Sequence, residues 1–174
     1  MGTTMASVSF RRTDNMNWSA LKPKIKSLYQ GIEGIVSNIE QEEIAYAIVS
    51  PYGDSAVFLE EITEKVSQLT GDYVIFCMCV DSDYALLKLY CNGQKIEEAA
   101  LGAPELLEEI DELADLSMPD VVTWKPLLQD EKNAEALYNA FKINEVFVED
   151  QLRIISALTG MPIFNDVLVF EECF

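Results

Sequence analysis

The chain of 174 residues contains no histidine. That single absence removes Ser-His-Asp and Cys-His catalysis, histidine metal sites and any imidazole pH switch. Basic residues are scarce as well: 12 Lys plus Arg stand against 30 Asp plus Glu, a formal net charge of −18 at pH 7. Such an anionic chain is poorly suited to neutralise phosphates, and an anionic lipid leaflet repels it. Neither nucleic acid nor membrane is expected as a partner. Long hydrophobic runs are also missing. The longest, Tyr73 to Val80 (YVIFCMCV), is closed by Asp72 and Asp81, whereas a membrane-spanning helix needs about 20 apolar residues. No apolar signal core accompanies Arg11 and Arg12, and Ala6 stands where a myristoylation signal at Gly2 calls for Ser or Thr. Met1 to Thr4 is open to two readings, an added leader before a start at Met5 or a native part of the chain. Cysteine is limited to Cys77, Cys79, Cys91 and Cys173, whose spacing is no disulfide framework. Reduced thiols and a cytoplasmic location are expected.

What is present is a core-forming composition. Hydrophobic residues make up 49% of the chain and the mean hydropathy is +0.09, which separates it from a disordered acidic tail. One α+β domain over 1–174 is expected from the length. Its first 30 residues carry Arg11, Arg12, Lys22, Lys24 and Lys26 against Asp14, a net of +4, so the other 144 carry −22.

The clearest architecture lies in the middle. Tyr73–Val80 and Tyr84–Cys91 are β-rich runs joined by Asp81-Ser82-Asp83, and Asn92-Gly93 then turns into a third strand, Gln94–Glu98. Asn-Gly is a strong hairpin signal because both central residues need positive φ. A tight first turn sets Cys79 opposite Ala85, Cys77 opposite Leu87 and Ile75 opposite Leu89. Tyr73–Val80 is apolar on both faces, so it is a central strand covered on both sides. Val8–Phe10 reads as an edge strand and Ile44–Val49 as a buried one. Asp166–Phe170 reads as a terminal strand.

Helical spacing recurs in Trp18, Leu21, Ile25, Leu28 and Tyr29, with Asn17 as N-cap and Pro23 suited only to a first turn. A second helix carries the stripe Val57, Phe58, Ile62, Val66 and Leu69 and ends at Gly71. Pro104 opens an acidic helix with Leu106, Leu107, Ile110, Leu113 and Leu116 as its buried side. Met118–Pro126 reads as a loop with a strand-like centre at Val121–Trp124. Ala134–Phe141 and Val148–Leu158 read as helices, the second stopped by Gly160 and Pro162. Residues 57–71 echo 146–160 without a gap, with seven of fifteen positions identical. Amphipathic convergence and a duplicated helix–strand unit both account for this. Under either account the helices are expected to lie together on one sheet face, with the strands forming an antiparallel meander.

Few groupings suggest chemistry. Asp81 and Asp83 at a hairpin tip are weak candidates for a hard cation, but the following residues lack the glycine and distal glutamate of a calcium loop, and Asp and Ser are ordinary turn residues. Cys77 and Cys79 share a strand face, yet Cys91 falls roughly 20 Å from Cys79 at ~3.3 Å per residue, too far to join a zinc site. Asp54, in the Ser50–Ser55 strand-to-helix turn, lacks the lysine and spaced glycines of a phosphate loop. No metal, cofactor or catalytic residue is expected.

The feature of unusual scale is acidic: from Glu97 to Asp120 there are nine acids and no base. A solvated helix face is the plain reading. The functional reading is an anionic surface of Glu105, Glu108, Glu109, Glu112 and Asp115 that attracts a basic protein, with Tyr52, Trp124 and Tyr138 as candidate aromatic anchors. The stretch Val80–Tyr90 with Asn92–Glu97, followed by Val146–Asp150, resembles a set of uncharacterised bacterial proteins, some of which look like immunity proteins against the bacterium's own toxins. That resemblance implies a small acidic binding protein and assigns no residue a role. Two other classes remain open at this point. One is a small-molecule or metal-binding domain or enzyme using carboxylates such as Asp54, Asp81 and Asp83. The other is a scaffold or homodimer in which the basic first 30 residues of one chain meet the acidic helix of another.

Overall fold

The structure, a computed structural model, describes residues 2–37, 45–50, 56–110, 112–116, 119–143 and 147–164. Its centre is a six-stranded sheet of β1 (Met5–Arg11), β2 (Val36–Ser37), β3 (Ala45–Ser50), β4 (Tyr73–Val80), β5 (Tyr84–Cys91) and β6 (Gln94–Gly102). The spatial order is β2-β3-β1-β4-β5-β6, with every neighbouring pair antiparallel. With the helices below, this is the α+β architecture expected. The β4–β5 hairpin has the expected register, with Cys79, Cys77 and Ile75 opposite Ala85, Leu87 and Leu89. Asn92 and Gly93 both take positive φ, at 52° and 77°, as the tight turn requires. The third strand runs on past Glu98 to Gly102, where the alternation is hidden by small residues.

One strand expectation is overturned. β1 is no edge strand but is paired on both sides, with β3 and β4. Its serines disguised it. Ser7 and Ser9 are buried, and their hydroxyls donate to the carbonyls of Ile163 and Pro162 at 2.8 and 2.9 Å. Polar side chains thus satisfied can sit in a core without the desolvation penalty of orphaned groups.

The helices are α1 (Trp18–Tyr29), α2 (Ala56–Thr70), α3 (Pro104–Glu109), α4 (Val121–Trp124), α5 (Ala134–Lys142) and α6 (Val148–Thr159). They cover both sheet faces rather than one. On the first face Trp18 and Ile25 of α1 and Leu59, Ile62 and Val66 of α2 pack on Val8, Phe10, Tyr46, Ile48, Val74 and Phe76. Trp18 stacks on Tyr46 with ring centroids 4.6 Å apart, and Tyr46 stacks on Phe10 at 5.5 Å. On the second face Trp124, Leu137, Phe141, Leu152 and Ile155 pack on Ile75, Cys77, Leu87, Leu89 and Ala99. The cause is the two-sided apolar character of β4: a strand without a polar face needs a layer on each side. The echoing helices α2 and α6 therefore lie on opposite faces, and a duplicated unit is not shown. Their shared Thr-Gly ending has a local cause in each. Thr70 and Thr159 bond back to the carbonyls four residues earlier, and Gly71 and Gly160 take φ of 66° and 67°.

Smaller departures have clear physical origins. In α2, Val57 and Phe58 are exposed and Leu59, Thr63 and Ser67 join the buried side, so the stripe is rotated from the expected one. Thr63 is buried because its hydroxyl bonds the Leu59 carbonyl. Val121–Trp124 is helical rather than strand-like, because Asp120 caps it through the Val122 amide at 3.0 Å. Asn17 makes no side-chain cap and instead accepts from the Ser19 hydroxyl, and Pro23 stands inside α1 beyond its first turn. Ile44, the 51–55 turn with Tyr52 and Asp54, Asp166–Phe170 and Cys173 lie outside the described residues.

Candidate functional site

Two places in the fold concentrate polar groups. The first is the acidic segment after β6. The long helix expected there breaks early: α3 ends at Glu109, Ile110 leaves helical geometry at φ −105° and ψ 94°, and a 3-10 turn follows at Ala114–Leu116. Leu107 and Leu113 pack with Ala100 of β6 in one small apolar cluster, so this segment is held on the sheet at both points. Glu105, Glu108, Glu109, Glu112 and Asp115 are all exposed, spread over this broken ridge rather than along one helix face. Trp124 is no anchor for a partner: it is fully buried, edge-on to Phe141 at 5.3 Å. Tyr138 is partly exposed and carries Lys142 over its ring at 4.1 Å.

The ridge borders a shallow depression formed with the edge strand by Lys95, Ile96, Glu97, Glu98, Asp115, Leu116 and Pro119. Lys95 is paired with Glu98 at 2.5 Å. Burial lifts Glu97 above the ordinary carboxylate range, although its Oε1 accepts the Asp120 amide. The basic α1 packs at the far end of the same sheet face, against Phe10 and Tyr46, so positive and negative segments are separated across the molecule.

The second place is the β4–β5 hairpin tip. Asp81 and Ser82 both occupy the left-handed region, at φ 50° and 64°, and the Asp83 amide closes the turn on the Val80 carbonyl at 3.0 Å. A serine there is uncommon, and it is held by every polar atom it has. Its Oγ accepts the Thr3 amide at 2.7 Å and donates to Glu149 Oε1. Its own amide donates to the Thr3 carbonyl at 3.0 Å, and its carbonyl accepts the Val148 amide at 3.1 Å. Ser82 thus joins the start of the chain, the hairpin and the first turn of α6. Gly2 lies so close that an added Cβ would sit 1.9 Å from the Asp81 carbonyl oxygen, and its amide donates to Asp81 Oδ1 at 3.1 Å.

Around this junction is a cavity of about 590 Å³, lined by Gly2, Thr3, Asp81, Ser82, Phe147, Glu149, Asp150 and Arg153. Glu149 is only 6% exposed and its Oε2 has no hydrogen-bond partner. Its charge reaches the neighbouring thiol: burial pushes Cys79 up to about 12, with Glu149 adding to the shift. Cys77 is raised too, by burial and then by Cys79, so neither is a poised nucleophile. No family model, curated protein or solved structure matches the chain. Its chemistry has to be read from these residues alone.

Of the residues suggested by sequence, Asp81 lines the cavity and Asp83 does not. No three Asp, Glu or Cys among the described residues are arranged to hold a metal ion. Ser82 and Glu149 were missed as a pair because they are 67 residues apart, and each looked like an ordinary residue of its own turn or helix start. No helix among the described residues is long and apolar enough to cross a membrane.

Proposed function

We propose that this chain is a non-enzymatic binding protein of the cytoplasm that captures a basic protein, a toxin or nuclease domain, on its acidic ridge. The observation that carries the reading is the exposure of all five acids, Glu105, Glu108, Glu109, Glu112 and Asp115, in a stretch from Glu97 to Asp120 that holds no base. The resemblance of Val80–Tyr90, Asn92–Glu97 and Val146–Asp150 to a set of bacterial proteins, some of which look like immunity proteins, is in keeping with this reading. A field of this sign accelerates encounter with a cationic surface and repels acidic competitors, and occlusion of the partner's active site follows from docking.

The test is association with the protein encoded by the adjoining gene, measured as an on-rate at low and at high salt. The triple substitution Glu105→Lys, Glu108→Lys and Glu109→Lys lowers the on-rate by about tenfold or more and flattens its salt dependence. An unchanged on-rate would remove the ridge from the mechanism.

A further inference from the structure

A second site, separate from the acidic ridge, is built where the hairpin tip meets α6. We propose that the cavity beside Ser82 and Glu149 binds a small organic ammonium ion, with Glu149 as the buried counter-charge and Phe147 as an aromatic wall.

The argument starts from an unequal pair. Glu60 of α2 and Glu149 of α6 occupy the same position in the sequence echo. Glu60 is served from the sheet: Lys88 Nζ lies 2.7 Å from its Oε1 and the Tyr90 hydroxyl donates to the same oxygen at 3.0 Å. Glu149 is far more buried, yet among the described residues it receives only the Ser82 hydroxyl, and its second oxygen is unpartnered there. Leaving a buried carboxylate oxygen without a donor is costly, and the position faces a cavity within the usual size range of small-molecule sites.

The lining selects the ligand. Asp81, Glu149 and Asp150 outweigh Arg153, whose guanidinium is bonded to Asp150 and lies 5.1 Å from the centre of the Phe164 ring. A cation is favoured on charge. A divalent metal is disfavoured because the described acids do not converge as a metal group and hard ions take six or more oxygens. An ammonium group needs only a few acceptors, offered here by Glu149 and Asp81. Its carbon chain can lie against Phe147, 56% exposed at the rim, which also attracts the charge through its ring face. Glu149 lines the cavity while its Oε2 is closed to bulk water, so its charge is offered to a ligand with little competition from solvent.

The probe is n-butylammonium, added to the full chain and followed by calorimetry and by amide NMR. Saturable binding in the range of about 1 mM or tighter is expected, with shifts centred on the Thr3, Ser82 and Val148 amides. Glu149→Gln keeps an acceptor for Ser82 and removes the charge, and it weakens binding at least about tenfold. Phe147→Ala, at an exposed position, weakens it about threefold and leaves the unfolding transition unchanged. Lysine substitutions on the acidic ridge leave butylammonium binding intact, which separates this site from the proposed partner surface. Non-saturating binding, equal binding by Glu149→Gln, or tighter occupation by magnesium or calcium than by the amine would each overturn the proposal.

Discussion

Replacing Ser82 tests whether one hydroxyl holds the chain start, the hairpin tip and α6 together. Ser82→Ala removes two bonds, from the Thr3 amide and to Glu149. The first is a neutral hydrogen bond worth about 1 kcal/mol and the second, to a charged group, is worth about 2 kcal/mol. The expected loss is therefore about 3 kcal/mol, or a drop in Tm of about 6–12 °C for a chain of this length. Ser82→Gly loses the same bonds but relieves the left-handed backbone at φ 64°, which returns about 1 kcal/mol net of glycine's greater freedom when unfolded. The stability order is wild type, then Ser82→Gly, then Ser82→Ala. Urea unfolding at pH 7 gives the three midpoints, with the slope m expected to stay constant. Placing Ser82→Ala in a Glu149→Gln background shrinks its cost by about 1 kcal/mol, since the charge-assisted part is already gone. If Ser82→Ala unfolds within about 0.5 kcal/mol of wild type, or Ser82→Gly is the less stable of the two, the junction does not act as described.

Acid should weaken the other glutamate's network. Burial alone would raise Glu60, but Lys88 and Tyr90 outweigh it and hold Glu60 below its ordinary 4.5. A depressed folded-state value means the stabilisation is complete above about pH 4.5 and is lost as pH falls through the folded value. Lys88→Met should therefore destabilise at pH 7 by about 1 kcal/mol and converge with wild type under acid, as read from urea midpoints across pH. Gly102→Ala should cost about 2 kcal/mol, because φ is 140° and the added Cβ would meet the Asp83 carbonyl oxygen at 2.8 Å. Thermal unfolding with little change would show that the β6 end adjusts freely. Peptide mapping after alkylation at pH 8 should label Cys91 well before Cys77 and Cys79, which are buried and raised well above the ordinary thiol range. Equal labelling of all three in native protein would contradict that.

The sequence was most legible where a local rule operates. Asn92-Gly93 dictated a turn, and two-sided apolarity placed β4 at the centre with its partners in register. It was least legible where distant groups change the meaning of a residue. Ser7 and Ser9 look solvent-facing until carbonyls from the segment after α6 arrive to satisfy them. Val121–Trp124 looks like a strand from its β-branched residues, yet the cap from Asp120 sets a helical turn. The acidic run has helical spacing, but spacing does not reveal that Leu107 and Leu113 are held on the sheet and the helix between them broken.

The same division explains the sites. Net charge and the run of acids are sums over sequence, so the ridge could be anticipated without coordinates. A pocket depends on convergence, and no local pattern encodes convergence. The two echoing helix starts show this most clearly, since both offer Phe, an apolar residue and Glu in the same order. In one, the sheet beneath supplies Lys88, and the result is a closed ion pair. In the other, the element beneath is a strained hairpin tip that gives Glu149 a hydroxyl as its one donor among the described residues, and the result is a buried acceptor beside an open cavity. The difference between a structural acid and a candidate binding acid thus lies in what the fold brings underneath it, and exchanging the two environments, not the two glutamates, is what would exchange their roles.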